Sequence, residues 1–234
     1  IVGTTRKEVN RIDLPMDYWS QQAKLTPSSS TANFGIRAAM SADTNYIIVG
    51  SPHYSTGGGG FVFVRSGTSW SQQAILVDSN VASSNEWQQV AISSDGTYAV
   101  IGSTNFSSSR GRATVFIRSG TTWTQQAQFT GLVGSDYLAV AIGISDDGAT
   151  LALGAQLDDD AVTNAGSVHV HTRSGTTWSS GMTLTASDAA GSDYLTGGNR
   201  GMDINEAGTL IAAGAYNAGA SGSRYGAVYV FKKS

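Results

Sequence analysis

The hexapeptide "RSGTTW" occupies residues 118–123 and returns unchanged at 173–178, with "RSGTSW" at 65–70. The tryptophans of these copies, Trp70, Trp123 and Trp178, are 53 and 55 residues apart, and Trp19 in "YWSQQAKLT" precedes the first by 51. A period near fifty marks one supersecondary unit copied along the chain. Within each copy Ser-Gly-Thr supplies a tight turn, so Arg ends one strand and Trp begins the next.

Alignment on the tryptophans gives four recurring pieces. The first ends in a turn: "RAAMSADT" (37–44), "QVAISSDGT" (89–97), "AIGISDDGAT" (141–150) and "GMDINEAGT" (201–209). Asp-Gly at 95–96 and 147–148 is a hairpin signal, so these carboxylates read as turn formers. The second, "YIIVGS" (46–51), "YAVIGS" (98–103), "LALGA" (151–155) and "LIAAGA" (210–215), is an apolar run suited to a strand buried on both faces. The third follows Gly58, Gly111, Gly166 and Gly226; its alternation sets Val62, Val115, Val170 and Val230 on one face and Phe63, Phe116, His171 and Phe231 on the other. The fourth is "WSQQAKLT" (19–26), "WSQQAILV" (70–77), "WTQQAQFT" (123–130) and "WSSGMTLT" (178–185), a half-exposed edge strand.

Four short antiparallel strands every fifty residues match a β-propeller blade. The fold expected is all-β: a β-propeller of four blades of four antiparallel strands. The chain opens on a fourth-type strand and closes on a third, so residues 18–26 are expected to pair with 227–233 and close the last blade. One domain spans 18–234, with blades about 34–77, 86–130, 138–185, and 201–233 plus 18–26; residues 1–17 form an N-terminal extension whose "VNRIDL" echoes a third strand. Trp19, Trp70, Trp123 and Trp178 are expected to pack between blades.

"NFGIRAAMSADTNYIIVGSP" and "VAISSDGTYAVIGS", followed by "GRATVFIRSGTTW", resemble FG-GAP-type repeats, the integrin-alpha-like propeller family, over nearly the whole chain from residue 18. Phe34-Gly35 keeps the family's namesake pair, whereas the other repeats carry Glu86-Trp87, Leu138-Ala139 and "TGGNRG". The resemblance implies an extracellular or cell-surface module. The loops that hold calcium in integrin repeats are too short here for a D-x-D-x-D-G site, so no cofactor is expected.

Composition narrows the function. Charged residues make up 13% and the net charge is −3, which gives no basic footprint for nucleic acid. No apolar run approaches the roughly 20 residues of a membrane helix, so membrane insertion is not expected. Cysteine is absent, which excludes disulfides, thiolate metal sites and cysteine nucleophiles. The opening "IVG" has no Gly-Asp-Ser-Gly to follow it, and no P-loop, GxSxG or HExxH occurs. The chain therefore reads as a non-enzyme.

Function is expected on the loops that differ between repeats. The aromatic residues Tyr54, Trp87, Phe106, Tyr216 and Tyr225 share one rim, and "SDYL" at 135–138 and 192–195 offers Asp136, Tyr137, Asp193 and Tyr194 to hydrogen-bond and stack on a sugar. Asp158, Asp159, Asp160 and Asn164 carry oxygens for a hard cation, though they read first as a solvated loop. His169 and His171 have chelating spacing, but the aligned residues are mostly aromatic, so packing is expected of them. Asn105 heads the one glycosylation sequon. Together these features give a binding module for carbohydrate or protein; the alternative is a structural subunit of a larger assembly, in which oligomerisation is expected.

Overall fold

The computed structural model describes residues 19–54, 57–78, 88–198, 201–219 and 224–234. The first sheet runs β1 (Arg37–Met40), β2 (Tyr46–Ser51), β3 (Gly59–Ser66) and β4 (Ser69–Leu76) in that order. The second runs β5 (Gln88–Ile92), β6 (Tyr98–Ser103), β7 (Arg112–Ser119) and β8 (Thr122–Thr130). In the third, β9 (Leu138–Ile144), β10 (Thr150–Ala155) and β11 (Ser167–Ser174) are followed by an outer strand broken into β12 (Thr177–Trp178) and β13 (Met182–Leu184). The last holds β14 (Met202–Ile204), β15 (Leu210–Ala215) and β16 (Ala227–Lys232). All strand pairs are antiparallel and, apart from β11 with β13, join neighbours in sequence, the meander that the repeat predicts.

Local chemistry sets the hairpins. In the second sheet the Asp95 carboxylate accepts from Ser93 Oγ (2.8 Å) and the Thr97 N–H (2.9 Å), while Ser93 Oγ accepts the Tyr98 N–H. Ser145 and Asp147 repeat the arrangement, and hydrogen bonds from Ser145 and the Ala149 N–H hold the Asp147 carboxyl below its ordinary range. Gly96 and Gly148 follow with φ of 66° and 64°. These acids form turns.

Each sheet lays one face on the next. Ile48 and Val62 pack with Ile101 and Phe116, Val100 and Val115 with Leu151 and Leu153, and Ala152 and Val168 with Ile211 and Ala213. Burying each large aliphatic side chain contributes roughly 1.5–3 kcal/mol, so these seams hold the array together. The inner strands neighbour one another in the order β1, β5, β9, β14 and line a cavity of about 420 Å³, and among the described residues no extensive packing joins β14 to β1. The described residues form an arc.

Two devices staple the first two seams, and a third recurs at all three. A bulge lies opposite Val62/Phe63 and again opposite Val115/Phe116, turning Gln73 and Gln126 so that they accept from Trp123 Nε1 (2.9 Å) and Trp178 Nε1 (2.8 Å) of the following sheet. The hexapeptide arginines Arg118 and Arg173 donate to turn carbonyls of their own sheets and lie over Tyr46 and Tyr98 of the preceding ones. Backbone bonds from Asp43 to Ser94, Ser94 to Asp146 and Asp146 to Glu206 run from turn to turn.

The expected closure is not present. Residues 19–26 form no strand, and among the described residues β16 pairs only with β15. Instead Gln22 accepts from Trp70 Nε1 (3.0 Å) and Leu25 packs under the first sheet. The segment thus sits where an outer strand preceding the first sheet would sit. Trp70, Trp123 and Trp178 are half-buried as expected of seam residues, but Trp19 is 100% exposed, because its own seam is missing. The same cause explains β15, expected to be buried on both faces: Leu210 and Ala212 face outward. The N-terminal extension lies outside the described residues.

Candidate binding rim

The variable loops meet in pairs on one edge of the arc. Ser135, Tyr137 and Leu138 donate backbone N–H groups to Ser108, Ser109 and Arg110 of the second sheet's loop. Ser192, Tyr194 and Leu195 do the same to Thr163, Asn164 and Ala165 of the third. Each crossing segment runs so close over the glycine before the third strand that a Cβ at Gly111 would collide with the Leu138 carbonyl, and one at Gly166 with that of Leu195. Both glycines have φ of 78°.

This crossing explains "SDYL". Asp136 is buried and accepts the Val133 N–H at 3.0 Å; Asp193 is buried and accepts the Ala190 N–H at 2.8 Å. Burial, together with the charges of Asp158, Asp159 and Asp160 and against the Val133 bond, raises the Asp136 carboxyl above its ordinary range. Tyr137 and Tyr194 follow with φ of 56°, and Leu138 and Leu195 then plunge into the seam. The two carboxylates hold the loop, and the tyrosines are half-exposed.

The aspartate run does not converge. Asp158 is buried, with one oxygen on the Asp160 N–H (2.7 Å) and the other on Ser167 Oγ (2.7 Å) and His169 Nε2 (2.9 Å). Burial pushes its carboxyl up, and the bonds from His169, the Asp160 N–H and Ser167 outweigh that and hold it low. Asp159 accepts the Asn164 N–H, and Asp160 is exposed. Among the described residues no three His, Asp or Glu side chains group as metal ligands. His169 and His171 also diverge. His171 stacks on Phe129 at 3.8 Å and faces the Ser179 carbonyl, and its burial lowers the imidazole below its ordinary value. A Cβ on Gly181 would strike that ring more closely than van der Waals contact allows, which accounts for a glycine where the other outer strands carry Gln73 and Gln126.

The aromatic candidates fall into two groups. Tyr54 packs edge-on to Phe61 (5.1 Å) and Phe106 lies under the Arg112 guanidinium (3.5 Å), so both are tied to the scaffold. Tyr194 and Tyr216 stack at 5.4 Å, and Tyr216 and Tyr225, 59% and 90% exposed, flank a cleft of about 570 Å³ floored by Gly197, Gly201, Gly214 and Gly226. Asn105 is half-exposed beside Phe106, and Trp87 lies outside the described residues. Sequence reading missed Asp78, a buried carboxylate that takes Arg112 (3.2 Å), Thr114 (3.2 Å) and Gln128 (2.6 Å). Its partners are 34–50 residues away, beyond any local pattern.

No protein-family model matches the sequence, and no curated protein sequence matches it either. Solved structures do resemble its fold. TolB from Acinetobacter baumannii superposes with a TM-score of 0.50 at 11% identity, over 83% of this chain and 40% of that one. The β-propeller domain of Myceliophteria thermophila Cps50 (Swd1) superposes with a TM-score of 0.51 at 11% identity, over 84% of this chain and 53% of that one. The likeness is one of fold: the stacked sheets are β-propeller blades, and the chain spans about half the length of these propellers.

Proposed function

We propose that this chain is a non-enzymatic binding module of the FG-GAP type, built of four blades, that acts outside the cell or at its surface and recognises carbohydrate or protein through the loop rim. The observation that carries this reading is the cleft beside Gly226, where Tyr216 and Tyr225 present aromatic faces to solvent over a glycine floor. Aromatic faces of this kind stack on sugar rings or anchor a protein contact. A non-enzymatic role is supported by the acids themselves: Asp136, Asp158 and Asp193 are engaged in loop hydrogen bonds. The central cavity, where a catalytic propeller would gather acids and bases, is lined chiefly by Ala, Val and Ile, with Gln89 and Asp203. No helix of the described residues is long and apolar enough to cross a membrane. A glycan array tests the carbohydrate reading: hits that weaken at least about tenfold in Tyr216→Ala are expected for a stacked sugar, and hits indifferent to Tyr216 and Tyr225, or none at high protein density, contradict it.

A second reading, a subunit of a larger assembly, is favoured by a separate observation. The outer face of the last sheet bares Val228 and Val230, 70% and 67% exposed. Contiguous apolar exposure of this kind on a sheet with an unpaired edge marks an interaction surface.

A further inference from the structure

We propose that a second copy of this chain completes the last blade, its residues 19–34 adding along β16 so that two arcs join head to tail. The proposal rests on the assembly reading and names its partner. The chain's own seams provide the template. At the first two seams the following sheet brings a Trp to the preceding outer strand, at all three a turn-to-turn backbone bond runs across, and at the last two a crossing segment passes over a positive-φ glycine.

The two ends of the arc carry opposite halves of that seam. At the N-terminal end, residues 19–26 have the sequence and placement of an outer strand, with Gln22 on Trp70 as Gln73 is on Trp123, but no sheet inside them. Phe34, at the position of Leu138 and Leu195, packs edge-on to Phe61 at 5.3 Å. At the C-terminal end, β16 has a sheet but, among the described residues, no outer strand. The turn-to-turn bonds stop at Glu206, and the cleft beside Gly226 lies where Gly111 and Gly166 take the Leu138 and Leu195 segments. A groove of about 520 Å³ between β13 and β16, lined by Val170, Gly181, Met182, Leu184 and Phe231, lies where the fourth tryptophan belongs. Trp19 is the tryptophan without a seam.

Within one chain, residues 19–34 are fastened to the first sheet by Gln22–Trp70, by the Ser28–Gln72 pair of hydrogen bonds and by Phe34. A second copy delivers the same unit to β16 intact, without bending the arc. Two copies related by a two-fold axis make two identical head-to-tail seams and leave no open edge. In that ring Tyr216 and Tyr225 are covered by the partner's crossing segment, so this assembly and ligand capture in the cleft exclude each other.

The register follows from the first sheet, where Val64 opposes Ser71; by alignment Lys232 would oppose Ser20. Both are exposed, and the chain has no native cysteine. Mild oxidation of an equal mixture of Lys232→Cys and Ser20→Cys chains is expected to give a disulfide-linked species of twice 24.2 kDa, which neither variant forms alone. Val230→Asp is expected to shift sedimentation from two-chain to one-chain species with an unchanged circular dichroism spectrum. Linkage only within a chain carrying both cysteines overturns the proposal and the assembly reading together. No linkage, with Cys at 232 still open to a thiol reagent, overturns the second copy as partner and leaves the assembly reading standing.

Discussion

Val62 in β3 is fully buried, and Val230, its counterpart in β16, is 67% exposed. The strands around them are near copies, "FVFV" and "YVFK", each paired to an apolar second strand. What differs is the neighbour. Val62 meets Ile101 and Phe116 of the second sheet, whereas no described sheet follows β16. The backward face of the first sheet would be equally bare without Leu25, Phe34 and Tyr54, which cover Phe61 and Phe63 from within the chain. Burial in this array is a property of seams, and the two ends of the arc differ in which half of a seam they hold.

That contrast can be broken most severely at the crossing glycines. Gly111→Ala forces a positive-φ residue into the Leu138 backbone and is expected to lower stability by about 3–5 kcal/mol, strain and overpacking together. Gly226→Ala, at the open end, meets the Tyr216 and Ala215 carbonyl oxygens at 3.2 and 3.4 Å and is expected to lower it by about 1–2 kcal/mol. Urea unfolding of the two variants reads the gap. Next in size, Val115→Ala is expected to cost about 2–3 kcal/mol, and Val230→Ala below about 0.5 kcal/mol in dilute single chains. Equal losses in that pair would place a neighbour on β16. Trp178→Phe deletes the bond to Gln126 while keeping an aromatic ring, and an expected loss of about 1 kcal/mol would show in its thermal midpoint.

The smallest effect is set by pH. Burial depresses the His171 imidazole in the folded chain, so the unfolded chain binds the proton first as pH falls below about 6.5. Stability is therefore full above that pH and declines below it, down to the folded value. His171→Phe, the residue that the other sheets carry there, is expected to remove this part of the acid loss. A thermal midpoint that falls between pH 7 and 5 as steeply as in the parent chain would contradict the assignment.

The strands, the hairpins and the turn role of Asp95 and Asp147 were legible, because alternation, Asp-Gly turns and the fifty-residue period are local signals. The rim was partly legible. "SDYL" stood out through repetition, yet Leu138 and Leu195 are its working residues; reading them against Gly111 and Gly166 would have revealed the crossing. The pairing of Asp158 with His169, eleven residues apart across a loop, and the Asp78 node depend on how the chain returns on itself, which no single segment encodes. Closure failed as an expectation for a related reason. Residues 19–26 have an outer strand's sequence and hold the seam bond Gln22–Trp70, but which sheet receives their edge is not written in any local segment, and among the described residues β16 is left without them.

Hydrogen exchange of the β16 amides tests the open seam most directly. In a dilute chain, β16 is expected to exchange much faster than β7 and β11, which are paired on both sides, and to gain protection as concentration rises and a second arc docks. Protection of β16 equal to that of β7 at every concentration would mean that its edge is filled within one chain, and would contradict the account.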